Sequence, residues 1–148
     1  VAVELVPITP DNHKAVRALA VRQDQTHLVA GVDASLADAY VWQGSMFRAA
    51  LEDGNPVGYV MVFPFDQDGQ RIVNIVRLMV DARHQGRGLG RQILTDTISW
   101  ISHLTPRPDA LRISTLPENE PALGLYLSMG FEIRGTEEGE VALYRRPG

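Results

Sequence analysis

The sequence predicts one mixed α/β domain, residues 1–148, with a central, mostly antiparallel sheet flanked by helices. Three observations carry that expectation. The 148 residues are 45% apolar and 22% charged, a globular balance at the length of one ordinary domain. Apolar patterns of period two and of helical period follow one another in the order β α α β β β α β α β β. Short turns built on Asp-Gly-Asn, Asp-Gly-Gln and Glu-Glu-Gly close neighbouring strands into hairpins.

Val1 to Ile8 alternates loosely and reads as a first strand. Thr9 as N-cap and Pro10 at the first helical position open a helix to about Val21. The pattern weakens from Arg22 to Tyr40, where Ser35 would cap a short second helix. Met46–Glu52 and Val57–Phe65 form a hairpin, and Ile72–Val80, rich in β-branched residues, reads as a central strand. Ile93, Leu94, Ile98, Ile101 and Leu104 keep a helical period until Pro106 and Pro108 stop it. Leu111–Leu116 is a strand, and Pro121 to Met129 a short helix closed by Gly130. Phe131–Arg134 and Glu140–Arg145 complete a last hairpin.

Composition removes several classes of function. There is no cysteine, hence no disulfide, thiolate metal site or cysteine nucleophile. The four histidines, His13, His27, His84 and His103, show no metal-ligand spacing, so no metal is expected. No apolar run reaches the roughly 18 residues of a membrane span, and the N-terminal residues do not read as a signal peptide; a cytoplasmic location follows as the expectation. A net charge of −4 argues against nucleic acid as a partner. The charge is uneven. Residues 1–70 hold nine acids against Lys14, Arg17, Arg22 and Arg48, while residues 71–148 hold nine acids against ten arginines.

The stretch Arg83 to Leu94, "RHQGRGLGRQIL", has glycine at 86, 88 and 90, between a strand and a helix. A Walker loop is excluded because its lysine is missing; Lys14 is the only lysine. A dinucleotide fingerprint fails at its third glycine, which would fall on Arg91 or Ile93. The frame that fits is Gln85-x-x-Gly88-x-Gly90. A helix start offers unpaired N–H donors and partial positive charge, and glycines let the main chain approach a pyrophosphate closely. Arg83, Arg87 and Arg91 flank the same spot.

These residues resemble the GNAT superfamily of acyl-CoA-dependent N-acetyltransferases. The likeness rests on "RHQGRGLG" after "IVRLMV" and on "PENEPALGLYLSMGF" one helix and one strand later. Together they cover about half the chain, Ile72 to Phe131. Within that superfamily the chain looks most like bacterial spermine/spermidine-type acetyltransferases, through "YLSMGF…GTEEGEV" and "VRQDQTHLVAGVDASLADAY".

The resemblance implies acetyl-CoA as cosubstrate and a small-molecule amine as acceptor, with a homodimer common among similar proteins. It implies that main-chain groups of Leu78, Met79 and Val80 pair with the pantetheine arm. Gln85, Gly86, Arg87, Gly88, Leu89, Gly90 and Arg91 would then form the pyrophosphate loop. Asn119 and Ala122 would contact the cofactor, and Tyr126 would sit near its sulfur.

Acetyl transfer needs a neutral amine, and an alkylamine of pKa about 10.4 costs roughly 4–5 kcal/mol to deprotonate at neutral pH. The leaving thiol, near 8.5, needs a proton, and Tyr126 is the candidate catalytic acid. Several family members place a glutamate on the strand entering the glycine loop; Arg71 to Val80 contains none. Asp24, Asp33, Glu52 or a relayed water are the alternatives for the base. Arg77, in an apolar strand, needs a partner, expected to be a buried acid. Without a cysteine, direct transfer in a ternary complex is expected over an acyl-enzyme. The alternatives are an acceptor that is a protein N-terminus, lysine or drug amine, and a CoA-binding sensor with little catalysis.

Overall fold

The computed structural model describes residues 2–26, 28 and 31–148. Seven strands run in chain order as β1 (Glu4–Pro7), β2 (Met46–Glu52), β3 (Asn55–Gln67), β4 (Gln70–Val80), β5 (Ala110–Thr115), β6 (Glu132–Glu137) and β7 (Glu140–Arg145). Among the described residues four α-helices accompany them: α1 (His13–Arg17), α2 (Val32–Val41), α3 (Leu89–Ser102) and α4 (Glu120–Ser128). The strands form one sheet in the order β1-β2-β3-β4-β5-β7-β6. Every adjacent pair is antiparallel except β4 and β5, which are parallel and joined through α3. The expected mixed, mostly antiparallel architecture is the observed one.

Strand alternation sends side chains to two separate cores. Val60, Val62, Val73, Ile75, Leu111, Ile113 and Leu143 pack under α3 and α4. Phe47, Tyr59, Met61 and Met79 pack under Val16 and Leu19 around α1 and Val32 of α2. The loop between β2 and β3 puts Asp53 and Gly54 both at positive φ, the turn geometry that matches strand twist.

Two expectations fail in the N-terminal third, each for a visible reason. The first helix is short. Thr9 does open its turn, its Oγ1 accepting the Asn12 N–H while Asn12 Oδ1 accepts the Thr9 N–H. The N-cap is nevertheless Asn12, so Thr9 and Pro10 precede the helix rather than cap and start it, and the helix ends at Arg17, not near Val21. The chain leaves it because the Ala20 peptide is bound elsewhere: its N–H donates to Asp81 Oδ1 at 3.0 Å and its carbonyl accepts from Ala82 N–H at 2.7 Å. Ser35 is no cap either. Gly31 is the N-cap of α2, and Ser35 lies fully buried inside the helix, hydrogen-bonded to the Tyr59 hydroxyl at 3.1 Å. Of the expected first strand and the four histidines, Val1 and His27 lie outside the described residues.

One irregularity shapes the centre of the sheet. Met61 pairs with Arg77 while Val62 pairs with Ile75, so Val76 is an extra residue in β4. Such a bulge bends its strand. The parallel ladder to β5 stops at the same place, with Ile75 opposite Ile113 as its last pair. Beyond it β4 stays with β3, β5 stays with β7, and the two halves of the sheet diverge.

Candidate active site

The divergence opens a cleft of about 680 Å³, a size suited to a small-molecule ligand. Its walls are the free half of β4, the start of α3, one side of α4, the ends of β5 and β7, and residues ahead of α2. The sequence-predicted positions Leu78, Met79, Val80, Gln85, Gly86, Gly88, Leu89, Gly90, Asn119, Ala122 and Tyr126 all line it; Arg87 and Arg91 do not.

Gly86 and Gly88 both have φ +79, a conformation that glycine adopts without strain, and Gly88 is the N-cap of α3. A Cβ at either position would meet nothing within 4 Å. No side chain caps this helix. Among the described residues, no main-chain N–H from Gly86 to Arg91 donates to a protein acceptor; the first to do so is Gln92, to Gly88 O at 3.1 Å. Six consecutive donors at the positive end of a 14-residue helix are thus without a protein acceptor among the described residues, and Gly86, Gly88, Leu89 and Gly90 among them line the cleft. That arrangement fits an anion such as a diphosphate.

The flanking arginines do not supply the charge directly. Arg83 is bound to Asp81 at 2.8 Å and Arg87 to Glu52 at 2.7 Å. Arg91 spans to α4, donating to Ser128 Oγ at 2.7 Å and Met129 Sδ at 3.1 Å. The donors left without a protein partner at this helix start are thus main-chain groups. Asp81 anchors the loop behind it. Burial alone would raise its carboxyl, but the N–H bonds from Ala20 and Arg83 and the Arg83 guanidinium outweigh that and hold it below the ordinary carboxylate range.

The free edge of β4 can be assigned by alternation. Asp81 N–H donates to Val57 O across to β3, so Met79, two residues earlier, also directs its peptide groups at β3. Leu78 and Val80 direct theirs at the open edge. The Val80 carbonyl confirms this direction, since it accepts from Gln85 Nε2 at 3.1 Å. Gln85 in turn holds Gln25 Oε1 at 2.9 Å, so its side chain braces the loop against the segment before α2.

On the opposite wall Asn119 is the N-cap of α4, its Oδ1 accepting the Ala122 N–H at 3.4 Å. Tyr126 is 8% exposed, packs against Phe131, and its hydroxyl has no hydrogen-bond partner among the described residues. Burial pushes its phenol up to about 12.

The carboxylates expected as bases are otherwise occupied. Asp24 pairs with Arg22 at 3.3 Å, Asp33 with Arg17 at 3.0 Å, and Glu52 with Arg87. None of the three lines the cleft. Arg77 does, and its partner is Asp38 at 3.1 Å, which is 44% exposed and not the buried acid expected. Among the described residues, the one carboxylate in the cleft wall is Glu140, at the start of β7, accepting a hydrogen bond from Ser114 Oγ at 3.0 Å. Sequence reasoning missed it because Glu140 looks like any hairpin residue until β7 is inserted between β5 and β6.

Taken together, an uncapped helix start, an open strand edge and a sheltered phenol line one cleft whose shape and donors suit an extended phosphorylated ligand. The family model for acetyltransferases (GNAT) matches residues 15–131. The chain belongs to the GNAT acetyltransferase family. It is an N-acetyltransferase, with acetyl-CoA as cosubstrate.

A spermine/spermidine N(1)-acetyltransferase of Bacillus subtilis is 28% identical over 138 residues, 90% of each chain. An acetyltransferase from Thermus thermophilus shares the fold with a TM-score of 0.79 at 19% identity, covering 99% of this chain and 97% of that one. A GNAT family acetyltransferase from Elizabethkingia anophelis, solved with acetyl-CoA bound, aligns with a TM-score of 0.70 at 19% identity over 97% of each chain.

Proposed function

We propose that this chain transfers an acetyl group from acetyl-CoA directly to a small primary amine, and that polyamines are the acceptor class to try first. The observation that carries the reading is the continuity of one cleft. Unbonded N–H groups at the start of α3, the open edge of β4 and the Tyr126 hydroxyl follow one another along it.

In this reading the N–H groups of Gly86 to Arg91 hold the diphosphate. Leu78 and Val80 offer the main-chain groups that pair with the pantetheine arm, and Met79 contributes its side chain to the core beneath. Their edge N–H groups also provide the donor for the developing oxyanion. Asn119 and Ala122 close the α4 side. Arg87 and Arg91 shape the loop through their ties to Glu52 and Ser128 without needing to touch phosphate.

Tyr126 faces the place where sulfur would leave. Full transfer of its proton to a thiolate whose conjugate acid lies near 8.5 would be uphill by roughly 5 kcal/mol, given a phenol near 12. The phenol therefore acts by donating a hydrogen bond to the developing thiolate, and the proton that finally reaches sulfur comes from the amine by way of water.

Support for a polyamine comes from the 28% identical relative, whose name specifies spermine and spermidine. The acidic balance of residues 1–70 adds little to it, because Asp24, Asp33, Asp38 and Glu52 are all in ion pairs. The test is a panel of spermine, spermidine, simple amino acids and short peptides, with thiol release from acetyl-CoA as readout. Turnover that is highest with the polyamines supports the reading; turnover confined to anionic or peptide acceptors refutes the polyamine part.

A further inference from the structure

We infer that Glu140 is the carboxylate that receives the acceptor amine and takes a proton from its nitrogen as the new bond forms, with Ser114 as its positioning residue. The inference rests on the transferase reading above and adds the base that the sequence did not reveal.

The two faces of the sheet separate the two substrates. Leu111 and Ile113 on β5, and Val141 and Leu143 on β7, point toward α3 and α4, the side that carries Tyr126. Ser114 and Glu140 alternate with these residues and therefore point to the other face. That face is the one on which Arg77 meets Asp38 of α2. A thioester entering between α3 and α4 would thus present its carbonyl in the gap from one side. Glu140 waits at the end of β7 on the other.

The neighbouring charges leave Glu140 available. Glu137, directly across the hairpin from it, is held by Arg112 at 3.1 Å. Arg112 itself is further fixed by Asn74 Oδ1 at 3.0 Å. Arg77, the other charged side chain of the cleft, is engaged by Asp38. Ser114 donates to one Glu140 oxygen, Oε1, which fixes the carboxylate while the second oxygen stays open to a ligand.

The chemistry balances as follows. The ammonium acceptor is first drawn to Glu140 by a charge-assisted hydrogen bond. One proton leaves to water, because a carboxylate is too weak a base to empty an alkylammonium. The neutral nitrogen then donates its lone pair to the thioester carbon, and the carbonyl π pair moves onto oxygen. That nitrogen is now strongly acidic, and its proton passes to the Glu140 carboxylate. Return of the oxygen pair expels the thiolate with the C–S electrons. The proton on Glu140 leaves through water to protonate sulfur, which restores the carboxylate.

The test uses the full chain with E140Q, E140A and S114A, measured on the best amine of the panel, alongside acetyl-CoA affinity by calorimetry. We expect kcat to fall about 100-fold in E140Q, the range for loss of a general base. Acetyl-CoA affinity should stay within twofold of wild type. E140A should regain activity in proportion to added formate, and S114A should lose about 3- to 10-fold without formate dependence. Full kcat in E140Q with only KM raised would overturn the proton-taking role. A loss that tracks acetyl-CoA binding and resists formate would overturn the assignment altogether. A wild-type chain that binds acetyl-CoA yet acetylates no amine overturns the transferase reading as well, whereas an active wild type with an unimpaired E140Q overturns this assignment alone.

Discussion

Replacing Tyr126 by phenylalanine removes one oxygen from the cleft and separates catalysis from stability. The hydroxyl has no protein partner among the described residues, so its loss should change folding stability by less than about 1 kcal/mol. In turnover the same hydroxyl would donate to a developing thiolate. A hydrogen bond to a charged group contributes about 1.5–3 kcal/mol, which corresponds to roughly a 10- to 100-fold loss of kcat. Tyr59 provides the contrast: its hydroxyl is bonded to buried Ser35, so Tyr59→Phe should cost about 1–2 kcal/mol.

There is also an alkaline signature. Burial raises the folded-state pKa of Tyr126 to about 12, above the unfolded value near 10. Stability is therefore unaffected below pH 10 and is lost as pH rises from 10 to 12, by an amount on the order of 3 kcal/mol. The variant should lack that part of the loss. The assays are denaturant melts at pH 7 and pH 11, thiol-release kinetics, and calorimetric binding of acetyl-CoA. A kcat within threefold of wild type would refute the role given to the phenol.

Other perturbations probe the frame around the site. A methyl group on Gly58 would run into the Met79 carbonyl oxygen and lie 3.0 Å from Ile93 Cδ1. Gly58→Ala should cost about 1–3 kcal/mol and weaken acetyl-CoA binding about tenfold by displacing the β4 edge, read by thermal melts and calorimetry. Asp81→Asn should cost about 1–3 kcal/mol at pH 7, since it removes the charge bound by Arg83 and by the Ala20 N–H. Because the folded-state pKa of Asp81 is lowered, its contribution is complete above its unfolded value near 4 and fades as pH falls below it. Acid titration monitored by circular dichroism should accordingly be shallower in the variant.

The elements that line the candidate cosubstrate cleft were legible because local pattern determines them. A β-branched strand, glycines before a helix and a cap ahead of Pro121 are short-range features, and the structure places them along one cleft. What could not be read came from residues far apart in sequence. Asp81 shortens α1 by binding Ala20, 61 positions away. Arg87 flanks the glycine loop in sequence, but only the fold brings it to Glu52, 35 positions distant, which holds its guanidinium. Ser35 has a capping residue's chemistry, yet Gly31 starts the helix and Tyr59 binds the hydroxyl inside. Glu140 enters the cleft only because β7 runs between β5 and β6, a crossing that hairpin periodicity does not reveal.

The central claim is that unbonded amides at the start of α3 grip a diphosphate and so aim a thioester along β4. Amide-resolved NMR of the ¹⁵N-labelled chain, titrated in parallel with CoA and with pantetheine lacking the diphosphate, tests it directly. CoA should move the Gly86, Gly88, Leu89 and Gly90 resonances while pantetheine leaves them in place. CoA binding that shifts other amides and spares these four would contradict the account.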